Sequence, residues 1–229
     1  MKIALCFSGE PRAFEKGYEY YKRNLLDLHD VDVYIHSWKR ERVENEQSII
    51  DLYKPKGYIF QDKPEIGDYN KRYPNTPEPE NRPPWNAYCM FYSMYKSSLL
   101  IDGQYDWVIK SRTDYAMNIQ ISFEELNNSK LYIPNCRMVP ERDFGNDQFA
   151  FSSQENMMKY MSTCKYIDEY YAAGTVYIGE NMMQANLRKH GLCGENLVYV
   201  NMNNPFPPGK YNGTWHSLIR DDMSQWVKY

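Results

Sequence analysis

Apolar and polar residues alternate along this chain in blocks of different period. Residues 3–7, IALCF, form a continuous apolar run ended by SGEP, the pattern of a fully buried strand running into a turn. Phe14, Tyr18, Tyr21, Leu25 and Leu28 then recur at steps of four and three. That spacing predicts a helix with one apolar face and puts Pro11 in its first turn, where a missing N–H does no harm. In DVDVYIHSW, Val31, Val33 and Ile35 alternate with polar or aromatic neighbours, as strand residues do. Strand, helix and strand predict a right-handed βαβ unit. Helix-like residues 44–53 and a strand at 57–60, GYIF, extend the alternation.

From Asp62 to Trp85 the pattern breaks. Pro64, Pro74, Pro77, Pro79, Pro83 and Pro84 stand among charged and polar residues, which argues against a regular helix or central strand. A segment this long without regular structure is a lid, a binding loop or disordered. Because the βα alternation resumes unchanged after it, 62–85 reads as a surface loop rather than a linker.

Asn86 is placed to cap a helix running to about residue 101, with Ala87, Phe91, Met94 and Ile101 toward one face. The strand DWVIKS follows at once. Beyond Asp114 the chain reads as irregular until LYIP at 131–134 and FAF at 149–151, two strands separated by turn-rich residues. Ser153 starts a helix with Met157, Met161, Cys164 and Tyr171 facing inward. Residues 180–190 form another, stopped by Gly191, and LVYVNM at 197–202 is the last clear strand. The tail from about residue 203 reads mostly as loop, ending in a short helix or extended segment. Together these elements predict an α/β fold with a mixed, mostly parallel sheet flanked by helices, in a single domain over residues 1–229.

Composition narrows the partners. A net charge of -3 without clustered Lys and Arg argues against a nucleic-acid surface. Five widely spaced cysteines with no CxxC pair suggest neither a disulfide framework nor a zinc clip, and reduced thiols in a cytoplasmic setting fit best. The opening apolar run is too short for a signal-peptide core, and no later run approaches a membrane span. Aromatics make up 16%, led by 22 tyrosines, a mix that suits either a polar cleft lined by flat faces or a tyrosine-rich core.

In open α/β sheets, ligands sit beyond the carboxyl ends of the strands. That rule selects Ser8, Gly9, Glu10, Pro11 and Arg12 after the first strand, His36, Ser37 and Trp38 after the second, and Arg112, Thr113 and Asp114 after the fourth. Gly9 permits close backbone approach and Arg12 supplies a forked cation, a combination able to hold a phosphate or a nucleotide edge. The loop matches neither GxxxxGK[ST] nor GxGxxG, which weakens ATPase and dinucleotide readings.

SGEPR, DVDVYIHSW, YDWVIKSRTDY and NDQFAFSS, in this order and spacing, resemble a family of small GT-A-type glycosyltransferases found in polysaccharide-building loci and large viruses, over residues 1 to about 200. The resemblance implies a GT-A-like, Rossmann-like sheet. It also implies a DxD-type motif at the end of the mid-chain strand, whose acids meet a divalent metal and the donor's ribose. Asp114 matches the second acid, and Arg112 occupies the first acid's place. With only one acid present, Mn²⁺ or Mg²⁺ needs further ligands. His216 in GTWHSL is the expected helper, with Asp221 and Asp222 as rivals. Alternatively Lys110, Arg112 or Arg12 neutralises the leaving diphosphate without a metal, or an Arg112–Asp114 bridge merely pins a loop.

A sugar transfer with inversion needs a base for the acceptor hydroxyl. Asp147 in FGNDQF, just before a strand, is the candidate, although Gly145, Asn146 and Asp147 are also ordinary turn residues. Glu180 is a fallback. Trp38, Trp85 and Trp215 border loops where a ring can stack on a sugar or base. The expected function is transfer of a sugar from a nucleotide-diphosphate sugar to a glycan or other hydroxyl acceptor. Two rivals stay open: a sugar-phosphate nucleotidyltransferase, and a catalytically silent sugar- or partner-binding module. In the expected site, Ser8, Gly9, Glu10, Arg12, Arg112 and Thr113 meet the nucleotide, Asp114 and His216 the metal, and Asp147 the acceptor.

Overall fold

A computed structural model describes residues 1–39, 44–65, 69–74, 84–117, 120–134, 147–200 and 216–218. In chain order its elements are β1 (Lys2–Gly9), α1 (Phe14–Tyr21), β2 (Asp30–Trp38), α2 (Glu44–Tyr53), β3 (Gly57–Gln61), α3 (Tyr69–Arg72), α4 (Pro84–Ser98) and β4 (Trp107–Ser111). There follow β5 (Tyr115–Met117), β6 (Leu131–Pro134), β7 (Ala150–Ser152), α5 (Gln154–Tyr160), α6 (Ile167–Ala172), α7 (Gly179–Lys189), β8 (Leu197–Val200) and β9 (His216–Leu218). Seven strands form one sheet in the order β3-β2-β1-β4-β7-β6-β8. β1 runs parallel to β2 and β4, β2 to β3, and β6 to β8, while β7 is antiparallel to both β4 and β6. The mixed, mostly parallel sheet read from the sequence is therefore present. A separate two-stranded ribbon pairs β5 with β9.

Side-chain alternation divides the core between the two faces of the sheet. Ile3, Leu5, Phe7, Val33, Ile35, Trp107 and Ile109 pack with Phe14, Tyr21 and Leu25 and with Ile49 and Tyr53 of α2. On the other face, Ala4, Cys6, Tyr34 and Val108 pack with Phe91 and Met94 of α4 and with Met157, Met182 and Met183. With helices covering both faces, the central strand β1 has to be apolar at consecutive positions, and Ile3, Ala4, Leu5 and Cys6 have no exposed surface. Each large side chain so buried contributes about 1.5–3 kcal/mol.

Several boundaries differ from the sequence reading. Pro11 lies ahead of α1, because Ala13 takes a left-handed conformation (φ 43°) and the helix starts only at Phe14. Residues Lys22–Leu26 then form a π-helical turn, and Leu28 stands 47% exposed instead of facing the core. The helix placed after Asn86 begins at Pro84, where proline's fixed φ suits a first turn. Within the proline-rich segment, the stretch between Pro64 and Pro74 is free of prolines, and Tyr69–Arg72 is helical. Ser153 caps α5, its Oγ accepting from Asn156 N, but this helix stops at Tyr160 and the chain restarts as α6. Neither β5 nor β9 was read as a strand. No described helix is long and apolar enough to cross a membrane.

Candidate functional site

β1, β2 and β4 run in parallel, so their carboxyl ends meet at one rim. Gly9 closes β1 with φ 105°, a backbone conformation that side-chain-bearing residues rarely adopt. Both of its backbone polar groups are held by neighbours: its N–H donates to Ser93 Oγ of α4 (2.7 Å), and its carbonyl accepts from Ser37 Oγ (2.9 Å). Ser93 Oγ also meets His36 Nδ1 (2.8 Å) and the His36 carbonyl (3.1 Å). A hydroxyl donates once and accepts twice. The three contacts are satisfied together when Gly9 N–H and His36 Nδ1–H donate to Ser93 and Ser93 donates to the carbonyl, which assigns His36 as the neutral Nδ1–H tautomer.

His36 is fully buried, and burial lowers its pKa to about 4, with the nearby Gln61 side chain working in the opposite direction. Its Nε2 is enclosed without a well-aligned hydrogen bond. Past Gly9, the Glu10 carboxylate pairs with Lys63 Nζ at 2.6 Å. Pro11 is buried, whereas Arg12 is exposed and no described acid pairs with it. Ser8 is 8% exposed and lies opposite His36 in the β1–β2 register.

β4 ends at Ser111, and Arg112–Asp114 form the turn into β5. Helix α1 clamps this turn. A Cβ on Gly17 would lie 1.8 Å from the Thr113 carbonyl oxygen, so only glycine allows the helix to sit so close. Tyr21 Oη lies 2.5 Å from Ser111 Oγ and donates to the Arg112 carbonyl (3.1 Å), while Thr113 Oγ1 donates to the Arg12 carbonyl (3.2 Å). That last bond joins the β1 loop to the β4 turn.

On its other side the turn is tied to the chain leading into β7. Lys110 Nζ donates to the Asp147 carbonyl and to the Gln148 carbonyl (3.3 Å), and the Tyr115 and Phe149 rings stack 5.1 Å apart at 6°. Asp147 thus sits beside the turn. It is partly exposed, its carboxylate makes no hydrogen bond to a described residue, and its charge acts on both Lys110 and Arg112. Lys110 is 1% exposed, and burial drives its pKa down to about 7, against the upward pull of Asp147.

Within the turn, Arg112 and Asp114 form a two-pronged ion pair. Nε donates to Oδ1 and Nη2 to Oδ2, each at 2.7 Å. The Asp114 side chain is 1% exposed and that of Arg112 26%. Burial works to lower the guanidinium's pKa, but Asp114 and then Asp147 outweigh it and the net direction is upward.

This geometry does not fit a divalent cation on Asp114. Both carboxylate oxygens are engaged by a fixed guanidinium whose charge offsets the attraction Asp114 alone would offer a dication, and the carboxylate is enclosed, with 1% of the side chain exposed. Among the described residues, no three metal-ligating side chains gather anywhere. The backbone of His216 pairs with Met117, and Leu218 with Tyr115 next to Asp114, so β9 runs alongside the turn. Asp221, Asp222 and Trp215 lie outside the described residues. Glu180 is in the first turn of α7, where an acid suits the helix dipole.

The structure therefore brings Ser8–Arg12, Arg112–Asp114 and Asp147 to one rim. The sequence reading missed the residues that hold them there: Gly17, Tyr21, Ser93 and the Tyr115–Phe149 stack. A glycine inside an otherwise helical pattern was the available signal for Gly17, since it marks a close backbone approach.

A mixed, mostly parallel seven-stranded sheet with helices on both faces matches the GT-A fold of known glycosyltransferase structures. The structure superposes on an active-site mutant of LgtC with a TM-score of 0.55 at 12% identity, covering 100% of this chain and 92% of that one. On galactosyltransferase LgtC in complex with donor and acceptor sugar analogues the values are 0.54 and 11%, with the same coverage. Mouse xyloside xylosyltransferase 1 aligns over 87% of this chain and 84% of that one at 10% identity, with a TM-score of 0.43, too low to carry weight. At these identities the likeness shows the fold. By sequence, no protein-family profile and no curated protein matches.

Proposed function

We propose that the chain is a glycosyltransferase that moves a sugar from a nucleotide-diphosphate sugar to a hydroxyl of a glycan or similar acceptor. The observation that carries this reading is the β4 turn. At the rim of a GT-A fold, Arg112 keeps its outer edge partly open while Asp147, whose carboxylate makes no hydrogen bond to a described residue, stands beside it. Ser8–Arg12 hold the nucleotide, with the Gly9 backbone already fixed by Ser93 and Ser37. Arg112 and Arg12 face the diphosphate.

In the reaction, the acceptor oxygen forms a bond to the anomeric carbon as the bond from that carbon to the diphosphate oxygen breaks. The leaving nucleoside diphosphate takes the electron pair, and Asp147 takes the acceptor's proton. Fixed cations aimed at the charge developing on the leaving group are the main catalytic device. A cytoplasmic setting belongs to this reading, and the four described thiols, being free, are compatible with it.

Incubation with a panel of nucleotide sugars tests the reading. The expected result is release of a nucleoside diphosphate from one of them, slow with water and faster with acceptor, and diminished by Asp147→Asn more in kcat than in donor KM. The closed Arg112–Asp114 pair favours one rival, a module that binds sugars without turnover. Donor binding with no diphosphate release under any condition is that rival's signature.

A further inference from the structure

The first acid's place in the expected metal motif is taken by a cation, and the geometry around it suggests what that cation does. Asp114 is enclosed and has both oxygens committed to Arg112. A guanidinium carries five N–H donors, and Asp114 uses two of them. No described acceptor meets the others. A two-pronged carboxylate contact also fixes the plane of the guanidinium, so its remaining donors point in a set direction before any ligand arrives. The turn is immobilised from behind by Tyr21 and by the close approach of Gly17, and the Thr113 bond to the Arg12 carbonyl ties it to the β1 loop, whose Arg12 is exposed.

We propose that Arg112 is the fixed cation that receives the donor's diphosphate, in the role a divalent metal on Asp114 would otherwise fill, and that Asp114 is a positioning residue for it. The proposal rests on the glycosyltransferase reading above. As the bond from the anomeric carbon breaks, the electron pair passes to the departing phosphate oxygen, and the outward N–H groups of Arg112 donate to the phosphate that gains the charge. Asp114 never touches substrate. Its carboxylate holds the fork in plane.

The test is calorimetric titration with UDP, GDP, CDP, ADP and dTDP and with the matching monophosphates, in EDTA and again with Mn²⁺. The expected result is that one diphosphate binds in EDTA with an affinity that Mn²⁺ changes by less than about threefold, and that it is preferred over its monophosphate by about tenfold or more, the worth of one or two charge-assisted hydrogen bonds. Arg112→Gln alone strands a buried carboxylate, so the preference is also measured in Arg112→Gln combined with Asp114→Asn, which removes both charges. The double variant is expected to bind the monophosphate as wild type does and to lose the preference for diphosphate, and Arg112→Lys to restore part of it. Affinity that rises more than about threefold with Mn²⁺, or a double variant that keeps the preference, overturns the proposal while leaving the transferase reading intact. Failure of every nucleotide to bind in either condition overturns the transferase reading itself.

Discussion

The two halves of the rim are held in opposite ways. At the end of β1, the backbone of Gly9 is gripped by uncharged groups, Ser93, Ser37 and a buried neutral histidine, and the one cation of the loop, Arg12, projects into solvent. At the end of β4, the turn is gripped by charges: Arg112 on Asp114 within it, and Lys110 reaching from inside the sheet to the carbonyls of Asp147 and Gln148. Neutral hydrogen bonds hold a backbone in place at little desolvation cost, which suits the nucleotide-binding role proposed for this loop. Buried charges are expensive to desolvate and fix direction strongly, which suits the phosphate-facing role proposed for Arg112. The contrast predicts that the β4 half is the less stable as built and the more sensitive to its surroundings.

The largest expected effect concerns Lys110. Its pKa is about 7 in the folded protein against 10.5 ordinarily, so between those values the unfolded chain holds a proton that the folded one does not. Stability therefore rises with pH across that window, by up to ~5 kcal/mol, and is flat in this respect below pH 7. Denaturant titrations from pH 7 to 10.5 on wild type and Lys110→Met check this, because the variant lacks that part of the slope.

Next in size is the ion pair. Arg112→Gln leaves Asp114 buried without its partner and is expected to destabilise by about 3–5 kcal/mol, most of which Asp114→Asn restores. Urea midpoints of the two single variants and the double variant measure that coupling.

The β1 half responds to acid instead. His36 has a folded pKa of about 4 against 6.5, so stability present above pH 6.5 is lost as pH falls toward 4, by about 3 kcal/mol. His36→Asn removes that acid limb, and thermal melts from pH 7 to 4 on both proteins compare the two. The smallest effect is Ser93→Ala, which leaves the Gly9 N–H and His36 Nδ1 without their acceptor. The expected loss is about 1–3 kcal/mol, with nucleotide affinity falling along with stability because the Gly9 loop is no longer fixed.

Much of this architecture could be read from the residues. IALCF and DVDVYIHSW announce β1 and β2 because helices cover both faces of the sheet and every position must be apolar or satisfied, and the rim that follows them is a consequence of parallel pairing. Harder to read were features set by contacts far along the chain. β5 and β9 are three residues each and join segments about a hundred positions apart, so neither has a periodicity of its own. Ala13 adopts a left-handed conformation that alanine does not advertise, and this displaces the start of α1 beyond Pro11.

At the site, the charged cluster after β4 was legible from its place at a strand end, but its wiring was not. Strand alternation sends Arg112 and Asp114 to one side, and only the turn after Ser111 decides whether they project into a crevice or fold onto each other. Here they fold onto each other. Lys110 was legible as a charge inside a strand, but its partners on the chain before β7 were not, because that contact depends on the antiparallel register of Lys110 with Ala150.

The open edge of Arg112 is proposed to face the diphosphate of a bound activated sugar. A crystal structure with the nucleoside diphosphate that binds most tightly tests it directly. The expected result is a terminal phosphate within hydrogen-bond reach of Arg112 at the end of β4, with the Arg112–Asp114 pair intact behind it. A diphosphate seated elsewhere on the protein, or Asp114 released from Arg112 to ligate a metal, would contradict it.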